Sequence, residues 1–164
     1  MKRLLQSAVA VSVMLVVSAG GTLPVGASAN TPFRAQFEVP MTLTPDADCG
    51  GFRVTGTGTG RATHMGAATI TVDECVNFVR EPGRVHVYGM LVLTAANGDE
   101  LHVSVDKVGD LPGPTGDAHV KGPYEVTGGT GRFAAATGSG ITSTDANVIT
   151  STATARLIGT LRWR

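Results

Sequence analysis

Few residues in this 164-residue chain carry the chemistry from which a function is usually read. Lysine occurs at only three positions (Lys2, Lys107, Lys121), with four histidines, two cysteines and one tryptophan. No cluster of Lys and Arg is present, which argues against nucleic acid as a partner. The histidines stand apart without His-x-His spacing, so no metal centre is expected, and Asp46-Ala47-Asp48 is a turn sequence before it is a calcium loop. No Gly-Lys-Ser/Thr follows a glycine run, which removes the nucleoside-triphosphate loop. After the first thirty residues no helical period lasts beyond one turn, which argues against bundles and layered α/β folds. No cofactor is expected.

What is present begins with a leader. Lys2-Arg3 precede an apolar run over 4–19 interrupted only by Gln6, Ser7, Ser12 and Ser18; Gly20, Gly21, Pro24 and Ala27-Ser28-Ala29 follow. A charged start, a short apolar stretch and a small-x-small site make residues 1–29 a secretory signal peptide. The run is shorter than the ~20 residues that span a bilayer, and no cysteine near the cleavage site offers a lipid anchor. Removal leaves 164 − 29 = 135 residues (30–164) and 13 − 2 = 11 basic against 13 acidic side chains, a net charge of about −2. That length suits one domain with a core. The expected product is secreted, with no membrane attachment. In an oxidising compartment Cys49 and Cys75, 26 residues apart, are expected to form a disulfide. A reactive thiol or metal pair would want a close partner such as Cys-x-x-Cys, and none exists.

The rest of the chain alternates. Phe33, Ala35, Phe37, Val39, Met41 and Leu43 share one face of a strand, with Arg34, Gln36, Glu38 and Thr42 opposite. Pro40 has no N–H for a ladder, which points to an edge or a bulge. Over 52–64 one face reads Phe52, Val54, Gly56, Gly58, Gly60, Ala62, His64; glycine at every second residue empties that face of side chains, and the strand can coil tightly. Ala68, Ile70 and Val72 mark a third strand that ends at 73–75. Segments 84–95 and 100–107 form a hairpin around Ala96-Asn97-Gly98. A two-residue loop would set Leu93 opposite His102; a three-residue loop with Gly98 left-handed sets Leu93 opposite Leu101 and Leu91 opposite Val103, and is preferred. It gathers Val85, Val87, Leu91, Leu93, Leu101, Val103 and Val105 on one face and His86, Tyr88, His102, Ser104 and Asp106 on the other. Which face turns inward stays open at this level. Strands at 118–127, 138–144 and 153–163 follow. The fold class is therefore all-β, a single closed antiparallel barrel of about eight strands with no substantial helix.

One stretch constrains this architecture most: YEVTGGTGRFAAATGSG, residues 124–140. Gly128, Gly129 and Gly131 permit a sharp turn and close backbone approach, and Phe133, the only large apolar residue before Ile141, is placed to plug the core beneath. The same letters approach a dinucleotide phosphate loop. That loop needs a three-turn helix and a second parallel strand, whereas Gly138 and Gly140 stop the helical signal and too little chain remains. The structural turn is the better reading.

GTGRATHMGAATI (residues 58–70), followed by YEVTGGTGRFAAATGSG, resembles the small secreted bacterial proteins of the allene oxide cyclase-like barrel group, to which plant dirigent proteins also belong. The resemblance implies an eight-stranded antiparallel barrel with an apolar cavity and assembly into dimers or trimers. Members act as cyclases or steer radical coupling, mainly by holding a substrate in one shape. Dirigent proteins commonly carry an arginine just after the glycine motif, where this chain has Thr137.

Candidate chemistry is sparse. His64, on a face of small residues, could be an acid, a base or a hydrogen-bonded core residue. The His/Ser/Asp face of the hairpin lacks any signal of a strained nucleophile turn or an oxyanion hole, so no catalytic residue is assigned. For a small apolar ligand inside the barrel, the candidates are His64, Tyr124, Phe133 and Tyr88. Three functions remain: a binding barrel, an isomerase or cyclase acting by confinement, or a structural protein whose barrel is filled by its own side chains.

Overall fold

A computed structural model describes residues 30–163. The expected leader, residues 1–29, lies outside the described residues. Eight strands follow one another: β1 (Thr31–Asp46), β2 (Gly51–Ala62), β3 (Gly66–Asn77), β4 (Arg84–Ala95), β5 (Glu100–Asp110), β6 (Asp117–Gly129), β7 (Thr137–Asn147) and β8 (Thr152–Arg162). Each pairs antiparallel with its chain neighbours, and β8 pairs with β1 to close the barrel. Closure leaves no strand with an unpaired edge. The only helical element among the described residues is one 3₁₀ turn, Gly131–Phe133, between β6 and β7. No helix of the described residues is long and apolar enough to cross a membrane.

Period-two alternation sets the wall. Phe33, Ala35, Phe37 and Val39 of β1 are buried, while Arg34, Gln36 and Glu38 between them are exposed. In the β4–β5 hairpin Leu93 lies opposite Leu101 and Leu91 opposite Val103, the register of a three-residue loop. Gly98 takes φ 87° there, the left-handed geometry that such a loop needs. Its apolar face points inward: Val85, Val87, Leu91, Leu93, Leu101, Val103 and Val105 are all buried.

Three local expectations change. Pro40 marks no bulge, since Glu38–Thr59 and Met41–Gly56 on either side keep one register, and it is the last β1 residue paired with β8. The barrel has closed around the residue that lacks an N–H. β3 runs past 75 to Asn77, because its pairing with β2 and β4 continues through Val76 and Asn77. A bulge does occur, between His102 and Val103 of β5 where they face β6, next to the glycine turn.

The inward glycines of β2 make room for the large side chains of β1. A Cβ at Gly58 would overlap the Glu38 carbonyl and come within 2.8 Å of Val39, and one at Gly60 would come within 2.7 Å of the Phe37 ring. Gly140 and Gly159, paired across β7 and β8, do the same for Tyr124, whose Cε1 and Oη would lie 2.7 and 2.6 Å from the added carbons. Cys49 and Cys75 form a disulfide with a Cα separation of 5.0 Å, tying the β1–β2 turn to β3. In the chain-entropy account a bridge across such a loop stabilises the fold by ~3.5 kcal/mol.

Candidate functional site: an apolar cavity above a buried Lys–Glu pair

The meander puts four turns at one end of the barrel and three at the other, and the two ends differ. At one end the 3₁₀ turn folds Phe133 inward, fully buried, and Trp163 packs against it with ring centroids 6.1 Å apart. Phe33, Phe37, Leu93, Leu101 and Leu161 fill the space below. This end is closed. At the other end the interior opens into a cavity of about 420 Å³. Met41, Leu43 and Val54 line one side; Val76, Val85, Val87, Ala118, Val120 and Ala146 line the rest. Phe52 and Phe78 stand near the mouth edge to face, centroids 6.1 Å apart, with Pro112 and Val148. The surrounding loops expose Val79, Leu111 and Ile149 at 77, 48 and 70 %.

A polar bar lies at the base of this cavity. Lys107 of β5 donates from Nζ to Glu74 Oε1 of β3 at 2.7 Å and to Thr144 Oγ1 of β7 at 3.1 Å. Lys107 is 2 % and Glu74 6 % exposed. Such a pair persists only with good geometry and several hydrogen bonds, because taking both charges out of water costs several kcal/mol. Gly89 makes the contact feasible. It occupies the inward position of β4 directly between Glu74 and Val105, and a Cβ there would lie 2.7 Å from Glu74 Cα. Gly122 of β6 leaves similar room on the far side, where a Cβ would come within 2.8 Å of Lys107 Cα. The buried apolar residues fall into a large cluster, which fills the closed end and reaches as far as Val54, and a small one, Val85, Val87 and Val120, at the open end.

The four ligand candidates read from the sequence are elsewhere. Tyr124 and Phe133 belong to the filled core. The Tyr124 phenol has no hydrogen-bond partner, and burial pushes its pKa up to about 12. Tyr88 is half-buried on the outer face of β4, opposite Cys75 and Asp106. His64 leaves the small-residue face of β2, since that strand stops at Ala62 and the chain turns through His64 at φ 68°. Its exposed ring lies against Trp163, tilted by 43° with centroids 4.5 Å apart, and Nε2 is 3.2 Å from the Pro32 carbonyl. None of the four lines the cavity.

Comparison with models of known protein families gives no match, and comparison with curated proteins gives none. The site therefore stands on its geometry alone.

Its charged residues carry a sequence signal that the alternation reading passed over. Glu74 continues the inward phase of Ala68, Ile70 and Val72, and Lys107 that of Leu101, Val103 and Val105. A charge on the apolar phase of two strands marks an interior pair or a cavity.

A second hollow, about 480 Å³, lies on the outer wall beside Glu38, Asp117, His119, Asp145 and Asn147. Its carboxylates are already engaged. Asp145 accepts from His119 at 2.6 Å and from Arg156, and both hold its pKa below the usual range, His119 the more. Asp117 is lowered by Thr115 and then Asn147, and Glu38 accepts from Thr154 at 2.9 Å. Among the described residues no group of three or more His, Cys, Asp or Glu could hold a metal ion.

Proposed function

We propose that the protein is an exported binding barrel that takes up a small, mostly apolar molecule through its open end. The observation that carries this reading is the apolar cavity of about 420 Å³ above Lys107 and Glu74, within the size range of small-molecule sites. A barrel serving only as scaffold would gain by filling that volume, as its other end is filled. The disulfide beside the open end suits an oxidising compartment. Membership of the allene oxide cyclase-like group belongs to the same proposal, supported by the eight-stranded closure and by the glycine turn that delivers Phe133 to the core.

Titration with N-phenyl-1-naphthylamine, an uncharged dye that brightens in apolar surroundings, tests the reading. Saturable enhancement is expected, lost in Val120→Phe and Ala146→Phe, which fill the cavity, and kept in Thr154→Val on the outer wall. Equal dye binding by the filled variants, or binding by the parent of neither the dye nor any nine-carbon apolar probe, would sink it.

The Lys107–Glu74 pair favours one alternative, an isomerase or cyclase in which these groups relay a proton to a confined substrate. A ligand recovered from the protein chemically altered after incubation would select that reading over simple binding.

A further inference from the structure

If the open end is a ligand site, the hydrogen-bonding capacity left at its floor defines what the ligand must carry. The Lys107 ammonium has three N–H bonds. Glu74 Oε1 and Thr144 Oγ1 accept two of them, and the third has no protein acceptor among the described residues. Glu74 is half engaged in the same way: Oε1 is bonded, and Oε2 has no protein donor among the described residues. That oxygen is not sealed in protein. Among the described residues the buried side-chain polar atoms lacking any partner are His86 Nδ1, Tyr124 Oη and Thr142 Oγ1, so Glu74 Oε2 has open space beside it. Glu74, Lys107 and Thr144 all line the cavity. One donor and one acceptor thus remain unused on side chains that line the same void and whose charges cancel.

Few groups satisfy both. A carboxylate would accept from Lys107 but oppose Glu74; an ammonium would do the reverse; an ether or ketone can only accept. A hydroxyl donates and accepts and brings no charge into a buried site. The wall above, Met41, Leu43, Val85, Val120 and Ala146 among others, offers only apolar contact to the rest of the molecule. The volume equals that of about fourteen waters, and because bonded atoms pack closer than separate waters it admits an occupant of about ten to seventeen non-hydrogen atoms. We infer that the cavity takes an apolar alcohol, seated with its hydroxyl between Glu74 Oε2 and Lys107 Nζ. This inference rests on the ligand-site reading above and can fail separately from it.

Isothermal titration of the purified protein with four probes of matched length decides it: 1-nonanol, its isomer 1-methoxyoctane, nonanoate and nonylammonium at pH 7. The expected order puts 1-nonanol about tenfold or more ahead of each of the others, the discrimination that a hydrogen bond to a charged group supplies. In the Glu74→Leu/Lys107→Met double variant, which removes both charges together, nonanol and the ether should bind within about twofold of each other. In Glu74→Gln, which keeps the size of the side chain, nonanoate should gain about tenfold on nonanol, and this single change keeps the test alive if the double variant does not fold. An ether that matches the alcohol, or either ion binding tightest to the parent, overturns the inference. Binding of N-phenyl-1-naphthylamine without an alcohol preference, or without binding of any of the four probes, overturns the inference alone. Absence of binding by the dye and all four probes overturns the cavity reading as well.

Discussion

The two ends of this barrel obey one alternation and differ in what the alternation delivers. Toward the 3₁₀ turn the inward positions carry Phe33, Phe37, Tyr124 and Phe133, with glycines set opposite them to admit the rings. Toward the other end, beside Met41 and Leu43, they are mostly smaller: Val54, Val76, Val85, Val87, Ala118, Val120, Thr144 and Ala146. Side-chain volume falls while the circumference stays fixed by eight strands, so the interior cannot fill and a cavity results. The lesson is that a barrel of this size is neither hollow nor solid by topology. Side chains decide, end by end, and the charged bar of Glu74 and Lys107 lies at the base of the open half.

That contrast can be tested by trimming each end. Phe133→Ala should lower unfolding free energy by about 4 kcal/mol, since it opens a void in a packed core. Val120→Ala, which already borders open space, should cost only about 1.5 kcal/mol, essentially the transfer term of the lost methyls. Urea denaturation gives both values, and equal costs would mean that the open end is packed in solution. Next in size is the bar itself. Lys107→Met leaves the Glu74 carboxylate buried and unpaired and should cost about 3 kcal/mol, most of it recovered in the double variant with Glu74→Leu. Additive losses would show that the two side chains do not act as a pair.

Tyr124→Phe sharpens the comparison in the opposite direction. The phenol is buried without a partner, so removing it should raise stability by about 1 kcal/mol. Its pKa rises from 10.0 to about 12 through burial, which means that the folded state favours the neutral phenol. The parent should therefore keep its full stability below pH 10 and lose part of it as the pH climbs from 10 through 12, a decline that the phenylalanine variant should show less steeply. The smallest effect belongs to the outer wall. Asp145, lowered by His119 and then Arg156, contributes stability above the usual carboxylate range that is lost as pH falls through its depressed value. Asp145→Asn should melt slightly below the parent at pH 7 and level with it at pH 2; a gap that persists at pH 2 would rule out the ion pairs as its source.

The wall was legible in the sequence because its signal is local. Two-residue alternation marks inward and outward positions strand by strand, and matching Leu93 to Leu101 was enough to choose the hairpin register. The Cys49–Cys75 bridge followed from there being only two cysteines. The cavity was not legible, for a physical reason: its existence depends on the summed volume of side chains from strands far apart in sequence, and no single strand announces it. Glu74 and Lys107 were missed because a charged residue reads as solvent-facing unless its phase is followed to the end of the strand. Alternation alone ends β3 at Cys75 and the hairpin's inward face at Val105, one inward step short of Lys107. His64 misled in the complementary way, by continuing a phase beyond the residue at which its strand stops.

Every ladder but one in this barrel is a hairpin between chain neighbours. Seven of the eight pairings can thus zip up over short loops, each at small entropic cost. The eighth joins β1 to β8, with Thr31 Oγ1 donating to the Leu161 carbonyl at 2.8 Å across 130 residues. Until that seam shuts, the molecule is an open ribbon with two raw margins, and Leu157 and Leu161 have no interior to enter. Completion of the last strand is what turns the ribbon into a vessel.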